Sequence, residues 1–354
     1  MANSLRVGII GAGGIATAVH IPNYMKCGDK VKIVAISDVV KEKAVQAGNQ
    51  FGITHVFSDY EVMLKEVELD AVSICTPNKF HAPATIAALR AGCHVLCEKP
   101  PAMTVEEAEQ MAKEAEKAGK ILTYGLHYRH SPEVEVLKRF IDAGELGEIY
   151  AARVHALRRR GIPGWGVFTN KELQGGGPLI DIGVHMLDTA LYLMGYPEPD
   201  TVLGVTYQKL GTRKGVGLMG DWDWQNFSVE DMARGMITFK NGASILLESA
   251  FAANVEKHEE MNVSLMGDQG GADVFPLKIY REMHETLVDI TPSSLPKKAG
   301  YDLQIERFVE CASAGKQPIC TAEQGVILQK LINGLYESAK KGSSVILSDV
   351  SVKA

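Results

Sequence analysis

The stretch that most restricts this chain's fold lies at its start. Leu5–Ile10 is an unbroken apolar run, and Gly11-Ala12-Gly13-Gly14-Ile15-Ala16 follows it directly. A short apolar run bounded by glycine reads as a buried strand. G-x-G-x-x-A opening a helix, here one that continues through Ala18 and Val19, is the turn of a dinucleotide-binding βαβ unit. Gly11 permits the tight turn, Gly13 lets a pyrophosphate approach the backbone, and Ala16 lets the helix pack close to the strand. Gly14 and Ile15 complete the loop, so the phosphates would rest on free N–H groups at the helix N-terminus.

The rhythm then repeats. Val31–Ser37 reads as a second strand, Lys41–Phe51 as a helix, His55–Phe57 as a short strand, and a helix follows from Asp59. Ala71–Cys75 is the next strand, Phe80–Ala91 a helix, His94–Cys97 a strand, Val105–Ala118 a helix and Ile121–Tyr124 a sixth strand. Strands alternating with helices imply a parallel, doubly wound Rossmann sheet over residues 1–125. Asp38 lies 22 residues beyond Ala16. A carboxylate there accepts both ribose hydroxyls and repels a 2′-phosphate, which favours NAD over NADP. The same residue also suits an N-cap of the 41–51 helix, and the two roles are compatible. The switch point of such a sheet lies between its first and fourth strands. That places Thr76, Pro77 and Asn78, with His81 one turn on, beside the glycine loop. Thr76-Pro77 also suits a plain strand-ending turn. Cys97-Glu98-Lys99-Pro100-Pro101 leaves the fifth strand where ligands bind such sheets, and the prolines hold the Lys99 backbone extended.

Residues 126–354 have another texture, that of an α+β substrate-binding and oligomerisation domain. A helix is expected near Pro132–Ala143, then strands at Ile149–Leu157, Thr201–Leu210, Met232–Lys240 and Ala243–Ala252. Asn241-Gly242 signals a type I′ hairpin between the last two. Further strands are expected at Asn262–Met266, Ala272–Phe275, Lys278–Glu282 and Thr286–Ile290, giving a large open, mostly antiparallel sheet. Consecutive Ile245, Leu246 and Leu247 imply that both sheet faces are covered, one by helices and one by a second subunit, as a homodimer or homotetramer. Helices near Asp302–Ala314 and Ala322–Lys340 close the chain and are expected to pack back on the first domain.

Composition narrows the partners. A net charge of −6 gives no electrostatic reason to expect nucleic acid or an anionic membrane. No apolar run approaches the ~20 residues needed to span a bilayer, and Val7–Ile10 is too short for a signal-peptide core. Six scattered cysteines contain no C-x-x-C pair, as expected of a reduced cytoplasmic protein without structural disulfides.

One further stretch carries chemistry. Gln174-Gly175-Gly176-Gly177-Pro178 precedes a largely apolar helix holding Asp181, His185 and Asp188. The glycines mark a loop that bends sharply or approaches a ligand. Asp181 and His185 at i, i+4 share one helix face, with Asp188 beside them. A buried carboxylate and imidazole are costly unless used or paired, and imidazole is the usual general base near neutrality. A helix cap at Asp181 and a satisfied core His185 would be the plain structural reading. A metal site from these residues finds no further ligand cluster, so no metal is expected.

The glycine fingerprint, Asp38, Glu98-Lys99-Pro100 and the glycine-led Asp181/His185 helix occur in one order. Together they resemble the Gfo/Idh/MocA oxidoreductases, the family of glucose–fructose oxidoreductase and inositol 2-dehydrogenase, over essentially the whole chain. The resemblance implies hydride transfer between NAD and a secondary alcohol of a sugar or cyclic polyol. It implies Lys99, Asp181 and His185 as catalytic residues, and Glu98 beside the nicotinamide. Gly125–Arg129 corresponds to a stretch lining the cleft, which brings His127 to the substrate, a position where the family often has Asn or Met. Trp165 either stacks on a sugar face or the nicotinamide or packs its own loop. Arg158-Arg159-Arg160 is a solvated surface run or a contact for an acidic sugar or phosphate. Trp222-Asp223-Trp224 suits a carbohydrate or an oligomer interface, and Tyr301 is placed to close the cleft. The alternatives to a dehydrogenase are an NAD-dependent glycosidase using transient oxidation and a non-catalytic NAD-binding regulator.

Overall fold

The structure is a computed structural model that describes residues 4–298 and 300–347. The chain divides into two compact units, residues 1–127 with 298–329, and residues 128–297 with 330–354.

The first unit is a parallel six-stranded sheet. Its strands are β1 (Leu5–Ile10), β2 (Val31–Ser37), β3 (His55–Phe57), β4 (Ala71–Ile74), β5 (His94–Cys97) and β6 (Leu122–Tyr124), in the order β3-β2-β1-β4-β5-β6. The reversal at β1/β4 is the switch point expected from the rhythm of the sequence. The connecting helices are α1 (Ile21–Lys26), α2 (Lys41–Phe51), α3 (Tyr60–Glu66), α4 (His81–Arg90) and α5 (Val105–Ala118). Strands covered on both faces need continuous apolar runs. Ile9, Ile36 and Leu96 are accordingly fully buried, in one core with Tyr24 of α1 and with Ile305 and Phe308 of the helix Tyr301–Ala314. That helix therefore completes the core of the first unit. α5 starts where Thr104 and Glu107 form a reciprocal capping box.

The second unit holds α6 (Pro132–Asp142), β7 (Ile149–Arg158), the single turn α7 (Lys171–Gln174) and α8 (Val184–Leu193). Its remaining strands are β8 (Pro199–Tyr207), β9 (Met232–Phe239), β10 (Ser244–Ala250), β11 (Glu259–Gly267), β12 (Gly270–Asp273), β13 (Lys278–Met283) and β14 (Thr286–Ile290). After α9, the Tyr301–Ala314 helix, come α10 (Ala322–Lys341) and β15 (Val345–Ile346). The nine strands run β14-β13-β12-β11-β7-β10-β9-β8-β15, antiparallel except for β7 beside β10.

One sequence expectation changes here. The β9–β10 connection is not type I′. Only Gly242 has positive φ, +86°, and Gly242 N–H donates to Phe239 O. Lys240 joins the loop, giving a three-residue turn with glycine in the left-handed position. The sheet face expected to lie against a second subunit is exposed in the single chain. Ile245 and Leu247 are buried, whereas Leu246 is 54% exposed on a face shared with exposed Leu203, Val205, Tyr207 and Met236.

Candidate active site

The first unit forms a cradle at the carboxyl ends of its strands. Gly11 takes φ +96°, and a Cβ there would stand 2.5 Å from Cys75 O. A Cβ on Gly13 or Gly14 would meet nothing within 4 Å, so the space above the turn is open. Asp38 does not cap α2, whose N-cap is Val40. Its two carboxylate oxygens instead accept Ala12 N–H and Val40 N–H, each at 2.8 Å. This ties the second strand's tip to the glycine turn, and lone pairs remain for ribose hydroxyls. Ser37 Oγ and Thr76 Oγ1 are buried beside the same turn with no hydrogen-bond partner among the described residues. Buried orphan hydroxyls call for a partner. Open space over Gly13 and Gly14, two waiting hydroxyls and a carboxylate at ribose spacing fit a dinucleotide such as NAD.

His81 bridges two loops of the cradle. It is fully buried, with its ring nitrogens 2.8 Å from Pro100 O and 3.0 Å from Thr76 O. It braces the two loops that follow β4 and β5. Burial, opposed by those carbonyls, lowers its pKa.

Glu98 stands at the inner end of a buried polar chain that sequence reading missed. His20 Nε2 lies 2.8 Å from Glu98 Oε1, His20 Nδ1 3.1 Å from Ser73 Oγ, and the Tyr24 hydroxyl 2.7 Å from that Oγ. Burial pushes the Glu98 carboxyl up. The hydrogen bond and charge of His20, with Lys99 and His127, outweigh it and hold the group below its ordinary value. Gly125 leaves room for this carboxylate, since a Cβ there would stand 2.7 Å from Glu98 Oε1. Lys99 follows, half-buried, and the Lys99–Pro100 bond is cis. Nearby, His127 stacks on Tyr301 with ring centroids 3.9 Å apart. Burial, reinforced by Lys99 and opposed by Glu98, pushes the His127 pKa down to about 4.

In the second unit the helix with Asp181 and His185 begins as a wide π-turn, Leu179–Gly183, before α8. π-turns inside helices recur at functional sites. Both side chains are buried, and the His185 ring lies against Tyr128, centroids 5.4 Å apart. In the glycine-rich loop before them, Gly176 and Gly177 lie close against protein. A Cβ on Gly176 would stand 2.1 Å from the Tyr336 hydroxyl, and one on Gly177 2.1 Å from Glu230 O. The Glu230 carboxylate accepts Gly177 N–H at 2.9 Å, Leu179 N–H at 3.2 Å and the Tyr336 hydroxyl at 2.8 Å. These contacts fix where the π-turn starts, and burial raises the Glu230 pKa.

Asp188 is not part of this pair. Arg129 donates to it at 2.8 and 2.6 Å, both side chains are fully buried, and Tyr192 and Tyr196 flank the guanidinium at 5.1 Å. Arg129 and Asp188 thus hold the helix in place. Trp165 is 55% exposed and meets Phe168 edge-on. Lys99 belongs to the first unit and Asp181 and His185 to the second. Among the described residues no group of three or more His, Cys, Asp or Glu side chains is arranged to hold a metal ion. The six cysteines are free.

Residues 5–126 match an oxidoreductase family with an NAD-binding Rossmann fold, GFO_IDH_MocA, and residues 138–347 match that family's C-terminal alpha/beta domain. D-glucoside 3-dehydrogenase of Escherichia coli K12 is 45% identical over 343 residues, covering 97% of both chains. Levoglucosan dehydrogenase of Pseudarthrobacter phenanthrenivorans is 28% identical, covering 98% of this chain and 99% of its own. The solved structure of a levoglucosan dehydrogenase with NADH and L-sorbose superposes with a TM-score of 0.84 at 25% identity, over 98% of this chain and 99% of that one.

Proposed function

This chain belongs to the Gfo/Idh/MocA oxidoreductase family, and from that premise we propose that it oxidises a secondary hydroxyl of a pyranoside, the 3-hydroxyl of a D-glucoside first among them. Its cofactor is NAD, held by a Rossmann domain. What carries the reading is the division of chemical groups between the units. One presents a dinucleotide cradle ending in Glu98-Lys99, the other a buried carboxylate on a widened helical turn and a buried imidazole on the α-helix that continues it. Oxidation of the alcohol removes one proton and one hydride, and the nicotinamide when bound takes the hydride.

His185 accepts the hydroxyl proton, a role worth roughly 10²–10⁴ in rate. Lys99 donates a hydrogen bond to the same oxygen and stabilises its growing negative charge. Asp181 grips a neighbouring hydroxyl and orients the imidazole. Tyr128 limits the ring's tilt, and the Glu230 and Arg129–Asp188 contacts hold the helix that carries it. Glu98 flanks the nicotinamide, Asn78 and Pro77 line its site, and His127 faces the substrate. In the reducing direction each proton step reverses.

The assay is purified protein with NAD and methyl glucosides, levoglucosan, glucose, xylose or inositols, followed by NADH absorbance. A glucoside is expected to give net NADH. Turnover without net NADH would mark the transient-oxidation glycosidase, and turnover of none would remove the reading. His185→Ala is expected to keep NAD affinity and lose turnover by the factor above.

The exposed apolar face of β8, β9 and β10 supports self-association as a dimer or tetramer. A single-protomer mass in light scattering at micromolar concentration would refute it. No helix among the described residues is long and apolar enough to cross a membrane.

A further inference from the structure

Beyond the dehydrogenase reading, and not resting on it, we propose that the second unit carries a binding site for a phosphorylated sugar. The site is a cavity of about 540 Å³ lined by Arg159, Arg160, Arg213, Lys214, Trp222 and Ile162. That size falls within the roughly 300–1,000 Å³ of small-molecule sites. Neither Asp181 nor His185 lines it, and among the described residues no carboxylate does.

The four cations are uncompensated. Neighbouring Arg158 and Arg234 are paired with Glu259 and Glu248. Arg159, Arg160, Arg213 and Lys214 form no ion pair among the described residues. Gathering like charges in a hollow of a chain with net charge −6 is unfavourable unless an anion joins them. Two of the arginines are also oriented by neighbouring parts of the chain. Arg160 donates to Arg159 O at 2.7 Å, to Ala253 O at 3.1 Å and to Asn254 Oδ1 at 2.5 Å. Arg159 donates to Glu256 O at 3.4 Å. Carbonyls and an amide orient these forks without neutralising them, which leaves the charge for a ligand.

On the opposite wall the backbone turn is fixed, while the Arg213 and Lys214 side chains stay exposed. Asp231 Oδ2 accepts the N–H groups of Lys209, Leu210 and Gly211 and pins the turn from which Arg213 and Lys214 project. Trp222 Nε1 donates to Gly211 O at 2.7 Å, so the indole is anchored to the same turn. Arginine forks match phosphate oxygens bidentately, and a phosphate monoester carries about −1.5 to −2 charges. The indole and Ile162 offer an apolar wall for the C–H face of a sugar ring. The arginine run and the Trp222 loop, 62 residues apart between Arg160 and Trp222, thus meet in one site whose chemistry is anion plus ring.

The test is calorimetric titration of the full-length NAD-bound protein at constant ionic strength with glucose 6-phosphate, glucose or inorganic phosphate. Glucose 6-phosphate is expected to saturate one site below about 1 mM, at least tenfold tighter than either other probe. Arg213→Gln/Lys214→Gln, whose side chains are exposed, and separately Arg160→Gln, should each weaken it at least tenfold. Trp222→Ala should weaken glucose 6-phosphate but not inorganic phosphate. His185→Ala should bind it as the unaltered protein does, which separates this site from the proposed catalytic one. Inorganic phosphate binding as tightly as the sugar phosphate, no saturation by about 10 mM, or unchanged binding in folded Arg213→Gln/Lys214→Gln would overturn the proposal.

Discussion

His127→Gln should make the protein less sensitive to acid, and the size of the effect follows from its surroundings. The His127 ring is half-buried, stacked on Tyr301 near Lys99, and loss of solvent pushes its pKa down to about 4. In the unfolded chain it returns to about 6.5. Between those values the unfolded state binds the proton and the folded state does not, so stability falls as pH falls. The neutral ring therefore costs nothing at pH 7.5 and roughly 2 kcal/mol at pH 5, approaching a limit of roughly 3 kcal/mol below pH 4. Glutamine has a similar reach and does not titrate. Urea unfolding followed by far-UV circular dichroism at pH 7.5 and 5.0 should show the unaltered protein losing about 2 kcal/mol more than the variant. Circular dichroism suits this test because Trp165, Trp222 and Trp224 all lie in the second unit and His127 in the first. A difference under about 0.5 kcal/mol would mean that His127 is not held neutral by burial. A neutral His127 adds no second positive charge beside Lys99.

Other substitutions probe the remaining supports. Asp38→Ala removes the carboxylate that holds Ala12 N–H; NAD affinity, read by fluorescence quenching, should fall about ten- to a hundredfold and the preference over NADP should shrink. His20→Leu removes the partner of Glu98 Oε1 and leaves the buried carboxylate only the longer bond from Lys99 N–H, at about 1.5–3 kcal/mol near pH 7. Glu98 now sits below its ordinary value and would move above it. The loss in urea unfolding should therefore shrink as pH falls toward 4, and a pH-independent loss would contradict the role of His20. Arg129→Met strands Asp188 in the core and should cost about 3–5 kcal/mol, largely recovered by adding Asp188→Leu.

Periodicity and turn residues reveal what is local, which is why the Rossmann half reads so directly from the sequence. The β1 run, the glycine turn and α2 stand within a residue or two of expectation because each is specified by its own neighbours. Contacts across long sequence separations leave no such trace. Nothing near His20 announces Glu98, and nothing near Asp188 announces Arg129. Asp188 therefore looked like a companion of His185, when it answers a buried guanidinium. The Gly175–Gly177 loop shows the same ambiguity. Glycine marks close approach, but whether to ligand or to protein depends on Glu230 and Tyr336, which lie far along the chain. The π-turn at Leu179–Gly183 was hidden because its apolar residues also suit an ordinary helix. The β9–β10 turn differed because one added residue, Lys240, changes which position must be left-handed.

The account rests on two groups from different units acting on one oxygen. A crystal structure of the ternary complex with NADH and a glucoside, or its 3-keto product, measures this directly. Lys99 Nζ and His185 Nε2 are expected within about 2.6–3.2 Å of the same substrate oxygen, with the carbon bearing it over the nicotinamide. The two side chains on different oxygens, or one of them turned away from the sugar, would contradict the account.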